Sequence, residues 1–263
     1  MRNRFVLVLA TLSFSLLIVA PDSSGQTKNQ TLQSAKGAGY QIVAKGPVPI
    51  PSFRRAFVID DRLSALRRKP DLQGEVIRRL RLGHIVYIVD RSKPVQGEPR
   101  FCRVAVTRRT RGWIHESALA VPGRAGEDQR ILTLIEATEG TDRIILCRLL
   151  SQSFSHSRLL PRSMLLLGEE AERIARTLGQ RTRRRLAEVR GAVADPRDYY
   201  LSDAGLDRYS KLGVVFDFNE STAEFVYDGK AYRDLVKRFP KSEEAALALE
   251  RLQTINKKTS GRD

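Results

Sequence analysis

The side chains of this sequence that could break or make bonds are few and scattered. Two cysteines and three histidines occur in 263 residues. Cys102 falls in the run Phe101-Cys102-Arg103-Val104-Ala105-Val106, in phase with Val104 and Val106, which puts it on the core side of a strand. Cys147 shares an apolar helical face with Leu150. A cysteine nucleophile needs a helix start and a histidine base. Neither cysteine has that context, so both read as core residues, while an oxidising compartment permits a Cys102–Cys147 disulfide. His84 follows a turn glycine, His115 follows Trp113-Ile114, and His156 occupies a turn between helices. No pair of them has the spacing of metal ligands. Gly-x-Ser-x-Gly, His-Glu-x-x-His and phosphate-cradling glycine loops are absent. The acid pairs Glu169-Glu170 and Glu243-Glu244 point about 100° apart on helices and read as solvated faces. The expectation is a protein with no catalytic residue, metal or cofactor.

Cationic side chains are abundant by comparison. Lys+Arg 46 against Asp+Glu 30 gives a net charge of +16. Residues 54–121 hold 16 basic and 7 acidic side chains, a net +9, while 122–263 hold 25 and 22, only +3. Three clusters carry the excess: Arg67-Arg68-Lys69, then Arg78-Arg79 with Arg81, and Arg108-Arg109 with Arg111. Loops at these places are expected to form a basic rim near Trp113, Phe101 and Tyr87, and guanidinium groups suit bidentate contacts to carboxylate or phosphate. The candidate ligand-binding set is therefore Trp113, Phe101, Tyr87, Arg67, Arg68, Arg108, Arg109 and Arg111. Arg181, Arg183, Arg184 and Arg185 end a helical run containing Glu169, Glu170 and Glu172, where the helix dipole accounts for them without a ligand.

The elements that must position these groups follow from patterning. Residues 1–25 read as a secretory signal: two early arginines, an apolar run from Phe5 to Ala20, then Pro21-Asp22-Ser23-Ser24-Gly25. That run spans about 24 Å as a helix, short of a hydrocarbon core of about 30 Å, so no stable membrane span is expected after cleavage. Residues 26–53 read as a linker, since Gly46-Pro47-Val48-Pro49-Ile50-Pro51 forbids a helix. In 54–121, short β-type runs at Ala56–Ile59, Glu75–Ile77, His84–Val89, Phe101–Val106 and Gly112–His115 predict a small five-stranded antiparallel barrel. In 127–256 the apolar period lengthens to three and four, at Ile131, Leu134 and Ile135, at Leu167, Ala171, Ile174 and Leu178, and at Leu249 and Leu252, which predicts helices. Val214–Asn219 and Glu224–Gly229 alternate like a small inserted hairpin. Residues 257–263 read as a tail.

The stretch from Leu63 resembles a bacterial SH3 (SH3b) domain, through Leu63, Pro70, Val76-Ile77, Leu80, Gly83, Phe101-Cys102-Arg103-Val104 and the closing Gly112-Trp113-Ile114-His115 with Ser117 and Leu119. The resemblance covers about a quarter of the chain. It implies an SH3-like barrel in which a glycine permits a tight turn into the last strand and the tryptophan covers an open end. Leu66-Arg67-Arg68-Lys69-Pro70 departs from the family's usual Arg-Ser-Gly-Pro. In the second half, Ala231–Ala246 resembles the helix–turn–helix of tetratricopeptide-type envelope proteins, with Ser242 as a helix cap and Glu243 and Glu244 in the following first turn. Leu150, Phe154, Ser157 and Leu167 recur as Leu235, Phe239, Ser242 and Leu252, each 85 positions later. The expected fold is thus a multidomain all-β plus mostly α chain.

These readings together imply an exported, non-catalytic adaptor of the bacterial cell envelope, secreted or periplasmic. Its SH3b module would bind cell-wall peptide or an anionic envelope polymer, and its helical module a partner envelope protein, with no nucleic acid among its partners. The competing expectation is an accessory subunit or degenerate relative of a cell-wall hydrolase.

Overall fold

The computed structural model describes residues 54–93, 96–188, 205–219, 222 and 224–260, all within one unit spanning Gly39–Asp263. The signal reading of 1–25 and the linker reading of 26–53 lie outside the described residues. The first half forms β1 (Arg54–Val58), β2 (Ala65–Arg67), β3 (Val76–Arg79), β4 (Ile85–Arg91), β5 (Phe101–Ala105), β6 (Arg111–His115) and β7 (Leu119–Ala120), with a short 3-10 turn, Glu116–Ala118, before β7. Pairing is antiparallel in the order β3-β2-β6-β5-β4-β1-β7. The sheet has seven strands and two edges, β3 and β7, and is not a closed five-stranded barrel. The two additional strands, β2 and β7, are three and two residues long, too short for alternation to reveal them.

Strand alternation sorts the apolar residues into two cores. Ala56, Val58, Leu66, Val86, Cys102, Val104 and Ile114 turn to the inner face, where Leu80, Leu119 and Val121 join them. Their outward neighbours Phe57, Ile85, Tyr87 and Ala105 pack against a second cluster built from the following helices. The β1–β4 half of the sheet is consequently buried on both sides, as its unbroken apolar runs require.

The second half comprises α1 (Glu127–Ala137), α2 (Thr141–Ser153), α3 (Leu160–Glu188), α4 (Asp207–Lys211), β8 (Phe216–Asn219), β9 (Glu224–Tyr227), α5 (Lys230–Arg238) and α6 (Glu243–Ser260). The inserted hairpin is present as β8–β9. The helix α6 runs on to Ser260, beyond the expected end at residue 256. Ile131, Ile135, Leu146, Cys147 and Leu150 of α1 and α2 supply the cluster that covers the sheet. Arg130 ties the two halves further, donating to the backbone carbonyls of Ser117 (3.2 Å) and Leu119 while its Nε bonds Glu127 (3.1 Å). A third core gathers α3, the hairpin, α5 and α6 around Tyr209, Tyr227 and Tyr232, and it meets the second through Leu167 and Phe239.

Two helix corners share one geometry, and they are the pair related by the 85-residue recurrence. Phe154 ends α2 with φ −129 and ψ 50, and its N–H donates to Leu150 O; Phe239 ends α5 with φ −132 and ψ 52, and its N–H donates to Leu235 O. Ser157 and Ser242 then donate back to Phe154 O (2.9 Å) and Phe239 O (3.0 Å). Ser242 Oγ accepts from Ala245 N–H, as its reading as a cap requires. The adjacent acids of α3 behave differently from the expectation. Glu170 is 1% exposed and accepts from Gly140 N–H (2.6 Å), Arg143 Nη1 (3.2 Å) and Arg173 Nε (3.1 Å). It pins the α1–α2 turn onto α3, and Arg143 also donates to the Ile135 carbonyl at the end of α1 (3.0 Å). Two residues earlier, a Cβ on Gly168 would stand 2.2 Å from the ring of buried Tyr232, whose hydroxyl donates to Glu172 (2.7 Å).

Candidate functional site

The strand registers assemble a single row across the outer face of the sheet, where the helices do not cover it. Val76 of β3 stands opposite Arg67 of β2, Arg67 opposite Trp113 of β6, Trp113 opposite Arg103 of β5, and Arg103 opposite Asp90 of β4. Opposed residues of an antiparallel pair project from the same face with Cβ atoms about 5 Å apart. The half-buried indole of Trp113 is therefore flanked on each side by an arginine, the two backbones about 10 Å apart across two strand spacings. Arg111 lies two residues along β6 on the same face, exposed, opposite Ala105. Val76, 43% exposed, ends the row at the sheet edge.

Gly112 makes this arrangement possible by close approach. A Cβ there would stand 2.7 Å from Leu66 Cγ and 2.8 Å from Arg67 O, so a bare Cα is what lets β2 lie against β6. The tight-turn role expected of this glycine is corrected accordingly: it lies within β6, not in a turn.

Of the other predicted site residues, Arg68 is exposed and paired with Glu75 (2.7 Å), while Arg67 Nη1 donates to Gly74 O (2.7 Å), closing the loop between β2 and β3. Arg108 and Arg109 are exposed in the β5–β6 turn, which Thr107 Oγ1 organises by accepting from the N–H groups of Arg109 and Thr110. The two remaining aromatics are buried and present no open ring to the rim. Tyr87 is 7% exposed beneath the helices, and Phe101 is 2% exposed, edge-to-face with His115 at 5.7 Å. Arg103 was not among the predicted residues, although its position between core-facing Cys102 and Val104 turns it outward by alternation alone.

Both thiols are free and buried. Cys102 belongs to the inner core of the sheet and Cys147 to the cluster beneath the helices, so the disulfide allowed by the sequence is not formed. Burial pushes the Cys147 thiol up to about 12 and raises that of Cys102. His84 is shifted down by burial and by the nearby Arg78 charge, and His115 Nδ1 accepts from Ser117 N–H (3.1 Å). Among the described residues no group of three or more His, Cys, Asp or Glu side chains could hold a metal ion, and no helix is long and apolar enough to cross a membrane. The Arg181–Arg184 cluster occupies the last turns of α3, where Arg183 faces Glu224 at 3.6 Å.

The outer face thus offers planar cations on both sides of an aromatic surface, a set that matches carboxylates attached to an extended, partly apolar body. Comparison with known proteins gives no match to a family model, a curated protein or a solved structure.

Proposed function

We propose that the chain is an exported, non-catalytic adaptor of the bacterial cell envelope, whose curled sheet is an SH3-like (SH3b) module binding an acidic cell-wall peptide on the face around Trp113. The row Arg67–Trp113–Arg103 carries this reading, because it makes two arginines the cross-strand neighbours of a tryptophan on the uncovered part of the sheet. The matching corners at Phe154 and Phe239 support a tetratricopeptide-like reading of the α2–α3 and α5–α6 hairpins, which are assigned to a partner envelope protein.

The test uses the mature chain and isolated cell-wall sacculi, with binding read as the pelleted fraction against sacculus concentration. Trp113→Ala should weaken binding roughly 30-fold, as expected for a central aromatic anchor, and Arg67→Ala or Arg103→Ala roughly fivefold each. Raising NaCl from about 0.05 to 0.5 M should erase most of the arginine contribution and leave that of the indole. Unaltered pelleting of the folded variants would discard this surface.

A further inference from the structure

In the helical half, α3, β9 and α6 surround a cleft with ≈ 130 Å³ of free interior, open to solvent on one side. A dry cavity of about 150 Å³ accommodates benzene, so the space suits a body of about six carbons. Its floor is apolar, formed by Ala175, Val226 and Ile255. Its rim carries Arg176 and Arg183, about two turns apart on α3.

Two backbone features open the cleft. The N–H of Asp228 donates to Val215 O (3.1 Å), which makes Val226 and Glu224 the hydrogen-bonded positions of the β8–β9 ladder and turns the N–H of Phe225 away from β8. That N–H faces Gly179 of α3, where even an added Cβ would remain 3.8 Å from the Phe225 nitrogen. The bare glycine leaves space beside a backbone donor, and two guanidinium groups stand above it. The rim carboxylates are occupied: Glu172 accepts from the Tyr232 hydroxyl at 2.7 Å and stands 3.9 Å from Arg176, the outer limit of an ion pair, and Glu224 faces Arg183 at 3.6 Å in a pair exposed on both sides. An exposed pair of that kind contributes little, so Arg183 can exchange Glu224 for a ligand anion.

We infer that this cleft binds a small monocarboxylate with an apolar body of about six carbons, its carboxylate held by Arg176, Arg183 and the Phe225 N–H and its body against Ile255. The site is independent of the Trp113 surface. Phenylacetate is the probe, titrated into the mature chain by ligand-observed NMR and calorimetry, with benzyl alcohol as the uncharged analogue. Saturable binding with a Kd of about 1 mM or tighter is expected, and benzyl alcohol should bind at least about tenfold more weakly. Gly179→Leu adds a good helix former and projects its side chain into the space, so binding should disappear while the melting temperature holds. Arg176→Ala/Arg183→Ala alters only exposed side chains and should weaken binding at least about tenfold. Trp113→Ala should leave phenylacetate binding unchanged. Absence of saturable binding to the wild type below about 10 mM, equal binding of benzyl alcohol, or wild-type affinity in the Gly179→Leu or double-arginine variant would overturn the assignment.

Discussion

Removing the carboxylate of Glu170 should be among the most damaging single changes in the helical half. Its oxygens face two guanidinium groups and the Gly140 N–H from a position that is 1% exposed. Deleting one partner of a buried ion pair costs about 3–5 kcal/mol, most of it from the charge left behind. The two arginines contribute unequally, since the side chain of Arg173 is 41% exposed and can return to water, while that of Arg143 is only 16% exposed. Arg143 is also fixed by the carbonyl of Ile135, so it cannot easily follow. With the stranded Gly140 N–H included, Glu170→Ala should cost about 3 kcal/mol, near the lower end of that range. For a folded unit of this size that corresponds to a fall of about 6–12 °C in Tm. Urea titration followed by far-UV circular dichroism gives the free energy directly. Glu170→Gln, which still offers Gly140 an acceptor, should lose about 2 kcal/mol, and Arg173→Ala less than about 1 kcal/mol. If Glu170→Ala stays within about 1 kcal/mol of the wild type at unchanged m-value, the clamp is not what holds the α1–α2 turn to α3.

Gly112→Ala should destabilise the chain by about 1–3 kcal/mol and weaken sacculus binding in parallel, because the new methyl group pushes β2 and Arg67 away from Trp113; a variant as stable and as tightly binding as the wild type contradicts the close-approach role. The native protein should show almost no rapid reaction with a thiol reagent at pH 8, and denaturation without reductant should release two reactive thiols, read by absorbance; prompt labelling of the native state, or none after denaturation, counts against the buried free thiols. Burial, with the nearby Arg78 charge, holds His84 below its ordinary value of about 6.5, so the unfolded chain takes up the proton first as the pH falls. Its contribution to stability should be complete above pH of about 6.5 and decline toward pH 5, and His84→Gln should flatten that slope in urea titrations; identical slopes refute the shift.

Much of the architecture was written in local patterns. The alternation in Val214–Asn219 and Glu224–Gly229 located the hairpin, and the 85-residue recurrence of Leu, Phe and Ser identified the two corners with matching dihedral angles. The site was only partly legible. Trp113, Arg67 and Arg111 share a face, and Arg103 was available from alternation, but pairing across β2, β6 and β5 depends on registers that no local window encodes. Tyr87 read as a rim aromatic because nothing nearby shows that α1 and α2 return to cover its face. Glu170 read as solvated for a similar reason: the turn at Gly140 that buries it lies 30 residues away.

The double-sided burial of β1 and β4 bears on how this polypeptide can be handled and diversified. A fragment cut after Val121 would present Phe57, Ile85 and Tyr87 to water as one greasy ledge, inviting self-association in place of monomeric behaviour. Transplanting the sheet onto another scaffold would demand a substitute lid of the same contour. The exposed positions of β3 can change one at a time, whereas the lidded pair and its helices must change together.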